Sequence, residues 1–389
     1  MSSKSINDLV KSAKVTVGQL YTLGELERLG LVTLGRGKVI SKIDLANTPG
    51  NNPVYSSSAM GNGEIGRYGK YMFEDERITW SVDGGGRLFY REPHKYSVTN
   101  VCGWLKVNTP GIDTKFLYLL LTSRWGRMTF DYTYKAHPSV IREAYRDLSF
   151  PILSEQHRLT AKIDQITALI KARELQLSKL DQLVKSRFVE MFGDVSEVCK
   201  LSDETELITK GTTPTSLGFS FVDNGINFVK IETFSEDGSL LSNKVAHITE
   251  ECHMALRRSQ LKANDVLFSI AGAIGRVAVV DSRILPANTN QALAVIRLRI
   301  GARLIVPYLV EVLKSEVVSR QYMAMKQGVA QLNISLKNIG DFRIPVPPLA
   351  LQHEFAAFVA EVDKSKFAVR KRLEKARLLY RAKLQEYFG

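Results

Sequence analysis

Apolar residues follow two rhythms along this chain. Over residues 151–194 and 347–389 they return every three or four positions; elsewhere they come in short runs between turn residues. In the first periodic stretch Leu159, Ile163, Ile166, Ile170, Leu177, Leu180, Val184 and Met191 keep that step or a multiple of it, and Arg173 and Arg187 interrupt it. The second gives Phe355, Val359, Val362, Val369, Leu373, Ala376, Tyr380 and Tyr387, interrupted by Lys366 and Lys383. Such stepping draws one apolar stripe down a helix, and held over this length it predicts a coiled-coil seam. The other faces carry Lys, Arg, Glu and Gln, as solvated helix surfaces do. A helix of about 37 residues at about 1.5 Å each is roughly 55 Å long and must bury its stripe. Two helices with matching seams in one chain predict that they pack on each other.

The segments before each helix, roughly 15–150 and 195–346, are rich in Gly, Thr, Val and aromatic residues. Runs such as Arg77–Val82, Asn100–Val107, Asp265–Ile270 and Ala292–Leu298 read as strands. Helical stretches are expected near Lys115–Ser123 and Pro307–Lys326. The pattern is also written twice. A shift of 196 positions carries Pro151 onto Pro347, Leu153 onto Leu349, Gln156 onto Gln352 and His157 onto His353. The same shift carries Glu190, Phe192 and Gly193 onto Glu386, Phe388 and Gly389. The fold class expected is therefore α+β: two mixed α/β globules (1–150 and 195–346) alternating with two long helices (151–194 and 347–389). The helices pair as an antiparallel coiled coil, and the whole is a pseudo-two-fold internal repeat. The globules differ more than the helices, so the helices do a shared job and the globules a variable one.

Composition narrows the partner. The 389 residues carry a formal net charge of +13, an excess that favours an acidic partner, and duplex DNA is the commonest. Cys102, Cys199 and Cys252 lie far apart with no CxxC spacing, which argues against zinc or a disulfide framework and suits a reducing cytoplasm. Met1–Lys14 is polar, so no signal peptide is expected, and no apolar run reaches the roughly 18 residues of a membrane span. A soluble, cytoplasmic protein is expected.

Several motifs then meet a known pattern. Pro53-Val-Tyr-Ser-Ser-Ser58, Gly61-Asn-Gly-Glu-Ile-Gly66, the run from Ile78 to Arg91 and Thr99-Asn-Val-Cys-Gly103 resemble a target recognition domain of Type I restriction–modification specificity subunits. Lys210-Gly-Thr-Thr-Pro214, Ile226–Ile231, Leu261–Ile270, Gly272-Ala-Ile-Gly-Arg-Val277 and Asn290-Gln291 resemble another variety of that domain. The Pro-x-Leu-x-x-Gln-His element closing each half is similar to the start of the family's spacer helices. The resemblance covers nearly the whole chain. It implies that each globule reads one half of a split double-stranded DNA site, that the helices hold the two readers apart, and that each half docks one methyltransferase subunit. It also implies that S-adenosylmethionine sits on that partner, with no cofactor or metal held by this chain, and that restriction and translocation subunits join in the full system. A separation of roughly 50 Å spans on the order of 15 base pairs.

Phosphate contacts supply affinity and base-edge contacts supply preference, with Arg suited to guanine and Asn or Gln to adenine. Candidates in the first globule are Arg67, Lys70, Arg87, Tyr90, Arg91 and Lys95 beside glycine-rich turns, then His137 and Ser139. In the second they are Lys210, Thr212, Thr213, Lys230, Arg257, Arg258 and Arg276; the cluster Asn288, Asn290 and Gln291; and the polar loop Lys326, Gln327, Gln331 and Asn333. The plain alternative for any one of them is a solvated surface residue. Asn100 and Asn290 could equally cap turns, and Trp80 and Trp104 are expected in the core.

Gly61-x-Gly-x-x-Gly66 matches a dinucleotide fingerprint but lacks the strand–turn–helix setting that gives it meaning. No Walker pattern occurs, and Val346-Pro-Pro-Leu349 lacks the amide or acid of an adenine-methyltransferase tetrapeptide. The six histidines show no metal spacing, and the repetition of His157 as His353 favours a structural or docking role. A non-catalytic chain is expected. Two alternatives stay open. A coiled-coil scaffold whose globules bind proteins fits the helices equally well but does not account for the charge. A nuclease would need more than Asp83 and Glu92 near basic residues.

Overall fold

Residues 15–57, 61–128, 135–235, 238, 241–324 and 333–389 are described by a computed structural model. The chain forms two units, one of Met1–Glu174 with Lys371–Gly389 and the other of Leu175–Arg370. The division runs through the long helices rather than at residues 150 and 346, so each unit takes part of both.

In the first unit strands β1 (Val32–Arg36), β2 (Asn52–Tyr55), β3 (Glu64–Tyr68), β4 (Arg77–Ser81), β5 (Leu88–Arg91), β6 (Ser97–Val98) and β7 (Cys102–Val107) make two sheets. One is antiparallel in the order β1-β7-β4-β5; the other is β3-β2-β6, with β2 parallel to β6. β4 is buried at all five positions because both of its faces are covered. Ile78 and Trp80 enter the main core with Leu23, Leu26, Leu117 and Phe150, and the Trp80 indole N–H donates to the Ala136 carbonyl at 2.7 Å. Trp104, by contrast, is only half-buried. Helix Thr114–Trp125 buries Phe116, Leu117, Leu119, Leu120 and Leu121, so it is apolar on more than one side. Asp113 caps it by accepting from the Phe116 N–H at 2.6 Å.

In the second unit β8 (Val198–Lys200) pairs with β16 (Arg343–Pro345). The remaining strands are β9 (Thr205–Lys210), β10 (Ile226–Val229), β11 (Ala246–Ile248), β12 (Val266–Ser269), β13 (Val277–Val279), β14 (Ala287–Thr289) and β15 (Leu293–Leu298). Their sheets run β9-β15-β12-β13 and β11-β10-β14, with β10 parallel to β14. Strand for strand this is the order of the first unit, although the sequences differ. The single helix expected over Pro307–Lys326 is instead two, Val306–Lys314 and Glu316–Ala324. Ser315 between them is extended (φ −76°, ψ 167°), and its hydroxyl turns back to the Val312 carbonyl at 2.6 Å.

The long helices run Leu153–Phe192 and Leu349–Phe388. In the first unit the early positions Leu159 and Ile163 share a core with Tyr380, Leu384, Tyr387 and Phe388 from the end of the other helix. In the second, Val184, Phe188 and Phe192 meet Phe355 and Val362. The helices therefore run antiparallel within each unit, along the stripe that the heptad pattern marks, joined near the helix ends by Phe188, Phe192, Leu384 and Phe388, which that pattern does not include. Lys366, an interruption of that stripe, is tolerated because its ammonium reaches Asp181 at 2.8 Å.

The repeated glutamine has a structural reason. Gln156 is fully buried; its oxygen accepts from the Asp113 N–H at 2.9 Å, and its amide donates to the carbonyls of Gly111 (2.9 Å) and Pro151 (2.8 Å). Gln352 does the same with the Ile305 N–H (3.0 Å) and the carbonyls of Arg303 (2.7 Å) and Pro347 (2.9 Å). Each glutamine ties the loop before a short helix to the start of a long one. The neighbouring His157 and His353 stay exposed.

Candidate nucleic-acid interface

The β4–β5 hairpin of the first unit is closed by a serine. The Ser81 N–H donates to the Arg87 carbonyl at 3.0 Å, the Arg87 N–H to the Ser81 hydroxyl at 3.1 Å, and the Gly86 N–H to the Ser81 carbonyl at 3.1 Å. The β12–β13 hairpin repeats the set: Ser269 N–H to Arg276 O (2.9 Å), Arg276 N–H to the Ser269 hydroxyl (3.0 Å) and Gly275 N–H to Ser269 O (3.1 Å). Gly86 (φ 72°) and Gly275 (φ 86°) both sit in the left-handed region, where glycine is least strained. Arg87 and Arg276 thus occupy one structural position in two different sequences.

Each hairpin is joined to the bend between the next two strands. Val82 N–H donates to Val101 O at 3.0 Å in the first unit, and Ile270 N–H to Ala292 O at 2.9 Å in the second. The segment entering a small helix joins the same place through Ala136 N–H to Val82 O (2.9 Å) and Ile334 N–H to Ile270 O (3.1 Å). His137 caps the helix that follows Ala136, Pro138–Ala144, and Ser335 caps the one that follows Ile334, Leu336–Gly340. The chain leaving β1, and that leaving β9, then crosses the bend at a glycine. A Cβ on Gly37 would lie 2.0 Å from the Val98 oxygen, and one on Gly211 1.9 Å from the Thr289 oxygen, so no larger residue fits either crossing.

These contacts gather Arg87 and His137 in the first unit, and Lys210, Thr212, Thr213, Arg276, Asn290, Gln291 and Asn333 in the second. Asn290 is partly turned inward, its side-chain oxygen accepting from the Ala292 N–H at 3.1 Å. The Thr213 hydroxyl is hydrogen-bonded to the Gln291 side chain. Lys230, at the end of β10, stands 4.3 Å above the Phe221 ring, and the strand end beside it is tied to the bend because the Thr289 hydroxyl donates to Val229 O at 2.9 Å.

Other candidates lie apart from this place. Arg67 pairs with Glu64 at 2.8 Å and donates to Asn51 O at 2.9 Å on the three-stranded sheet. Lys70 is exposed beyond β3, Lys95 stands 4.8 Å over Tyr71, and Arg257 and Arg258 are exposed on one short turn. Lys326, Gln327 and Gln331 lie outside the described residues.

Three expectations need correction. Arg91 is 5% exposed, its guanidinium 3.5 Å from the Tyr55 ring and hydrogen-bonded to Thr79 (2.9 Å) and the Asn62 carbonyl (2.8 Å); burial draws its pKa down. It is a core cation, unavailable to a ligand on the surface. Asn288 is fully buried, donating to Leu256 O (3.0 Å) and the Ser259 hydroxyl (3.1 Å) with His253 against its oxygen. The half-buried Tyr90 donates its hydroxyl to Glu76 at 2.6 Å, and burial with that carboxylate pushes its pKa up. All three polar groups are consumed inside the fold. One residue was missed: Arg36, exposed at the end of β1, donates its Nε to Asn100 O at 2.7 Å. The signal was present, since Arg36-Gly37 answers Lys210-Gly211.

The described residues hold no group of three or more His, Cys, Asp or Glu placed to bind a metal, and no helix among them is long and apolar enough to cross a membrane.

Comparison with known proteins adds a family. A model described as the Type I restriction modification DNA specificity domain matches residues 21–180 and again 194–377. A Mycoplasma pneumoniae protein described as the N-terminus of a candidate type I specificity subunit is 50% identical over 84 residues, 21% of this chain and 44% of that one. The Escherichia coli EcoBI specificity subunit is 25% identical over 260 residues, 59% of this chain and 54% of its own. The chain thus spans about half the length of these two curated relatives. Among solved structures, the S subunit of a Type I system from M. genitalium superposes with a TM-score of 0.53 at 15% identity, covering 98% of each chain. A chain from a study of type I restriction–modification complex assembly gives 0.55 at 17%, covering 97% of this chain and 99% of that one. At such identity these two speak for the fold.

Proposed function

Since the chain belongs to the Type I restriction–modification DNA specificity family, we propose that it is the DNA-recognition subunit of such a complex. Each unit reads one half of a bipartite double-stranded site. The long helices hold the readers in register and dock two methyltransferase subunits. S-adenosylmethionine and the chemistry of methyl transfer belong to those partners, and restriction subunits join them in the complete assembly. The place of action is the cytoplasm, where the DNA is.

The observation that carries this reading is the recurrence of one strand order and one bend flanked by cationic side chains in two units of different sequence. A protein that reads two different half-sites on one kind of polymer needs the same scaffold twice with different side chains. The net charge of +13 suits that polymer.

Methylation mapping tests the reading. The chain is co-expressed with its methyltransferase in cells free of other adenine methylation, and modified adenines are located by sequencing. A split motif of fixed gap is expected, and exchanging residues 15–150 should change one half of it alone. An active methyltransferase in an intact complex that leaves no split motif would overturn the reading.

A further inference from the structure

Two cationic positions recur in both units, each beside a glycine that recurs with it for backbone reasons, while the side chains beyond them do not. Arg36 ends β1 just before Gly37, and Lys210 ends β9 just before Gly211. Arg87 and Arg276 follow the hairpin glycines. In each unit the two stand on opposite edges of the four-stranded sheet, and both sides are tied to the three-residue bend, Thr99–Val101 or Asn290–Ala292: the Arg36 side by its Nε to Asn100 O, the Lys210 side by the Gly211 N–H to Asn290 O at 3.1 Å, and the hairpin sides by Val82 and Ile270. Side chains further along the hairpin and inside the bend diverge. Tyr90 and Arg91, further along β5, are answered by Val279 and Val280, and Asn100 and Val101 in the bend by Gln291 and Ala292. Recurrence marks a group that meets something the two half-sites share. Half-sites differ in their bases and share a sugar–phosphate backbone, whose contacts position a protein without reading sequence.

We propose that Arg36 with Arg87, and Lys210 with Arg276, form equivalent phosphate clamps, one in each unit, and that base readout falls to residues that differ between the units. This rests on the reading of the chain as a DNA-recognition subunit. Arg36 can serve while bonded to Asn100, because that bond uses one of the five donors of a guanidinium. The fixed backbone of Ser81–Arg87 and Ser269–Arg276 gives each hairpin arginine a rigid base, which lowers the ordering cost of gripping a phosphate.

The test uses the full chain co-purified with its methyltransferase. Binding is measured by fluorescence anisotropy on a duplex carrying the mapped motif and on an unrelated duplex of equal length, across about 50–200 mM salt. R36Q, R87Q, K210Q and R276Q should each weaken binding to both duplexes by the same factor, roughly 3–30-fold. Each should also flatten the log K against log salt slope by about 0.9. The methylated motif should not change. R87K and R276K, which keep the charge, should keep the salt slope and bind within a few-fold of the parent. A loss confined to the motif duplex, an altered motif, or collapse of the Lys variants would make these residues base readers and overturn the clamps. So would unchanged binding in all four Gln variants beside a parent that binds. A parent complex that binds neither duplex would instead remove the functional reading on which the clamps stand.

Discussion

The amide of Gln156 satisfies three backbone groups in one place, and that of Gln352 satisfies three in another. A buried backbone group left without a partner costs about 1–3 kcal/mol. Q156L and Q352L should therefore each lower stability by roughly 2–4 kcal/mol in urea unfolding of the full chain. A loss under about 0.5 kcal/mol would show that other groups or water take over the amide's role. The Arg142 guanidinium lowers the carboxyl pKa of Glu27, whose oxygen also accepts from the Leu34 N–H at 3.0 Å. A depressed carboxyl pKa adds stability above the ordinary value of 4.5 and gives it up as pH falls through the folded value. The stability difference between the parent and E27Q should thus hold near neutrality and shrink below pH 4.5. A gap independent of pH would contradict this. The glutamines stood out in the sequence because they repeat, but their partners could not be read there. Gly111 and Arg303 become neighbours of a helix start only after folding. Arg91, beside a glycine-rich turn, and Asn288, in a polar cluster near a strand start, show the converse: such a side chain looks exposed until the strands on either side are placed.

Among elements, the long helices were the most legible, because a three-and-four step is local. Their ends were less so. Phe192 lies 5.0 Å from the Tyr308 ring and 5.3 Å from Phe355, and Phe388 lies 5.1 Å from Phe116. The shift that pairs the two phenylalanines and the helical stretches that receive them are visible in the sequence, but the contacts of Phe388 with Phe116 and of Phe192 with Tyr308 are not. F192A and F388A should each cost about 3–5 kcal/mol. Limited proteolysis should show the damage locally, F192A opening the unit of Leu175–Arg370 and F388A the other. Equal opening of both units by either change would argue against this division. The break at Ser315 escaped the reading because Val306–Lys314 and Glu316–Ala324 together keep a helical rhythm. The extended serine between them is set by what each half packs on.

At the scale of the whole molecule, the shared strand order was not legible. Pairings such as β1 with β7 join residues about seventy positions apart, and no local signal specifies them. Because each unit has its own core and its own bend, mismatches placed in opposite half-sites should add: about 1–3 kcal/mol for each altered base pair, measured by titrating doubly and singly altered duplexes. A double mismatch that costs no more than a single one would show that only one unit reads. The composition of the first unit has a further consequence, for biosynthesis. Met1–Glu174 completes its core only with Lys371–Gly389, while Leu175–Arg370 is continuous. A ribosome adding about 5–20 residues per second needs on the order of 10–40 s to go from the first of these segments to the second. The nascent chain therefore emerges with Phe116 and Leu159 still lacking Phe388, and the part translated first is the part that closes last.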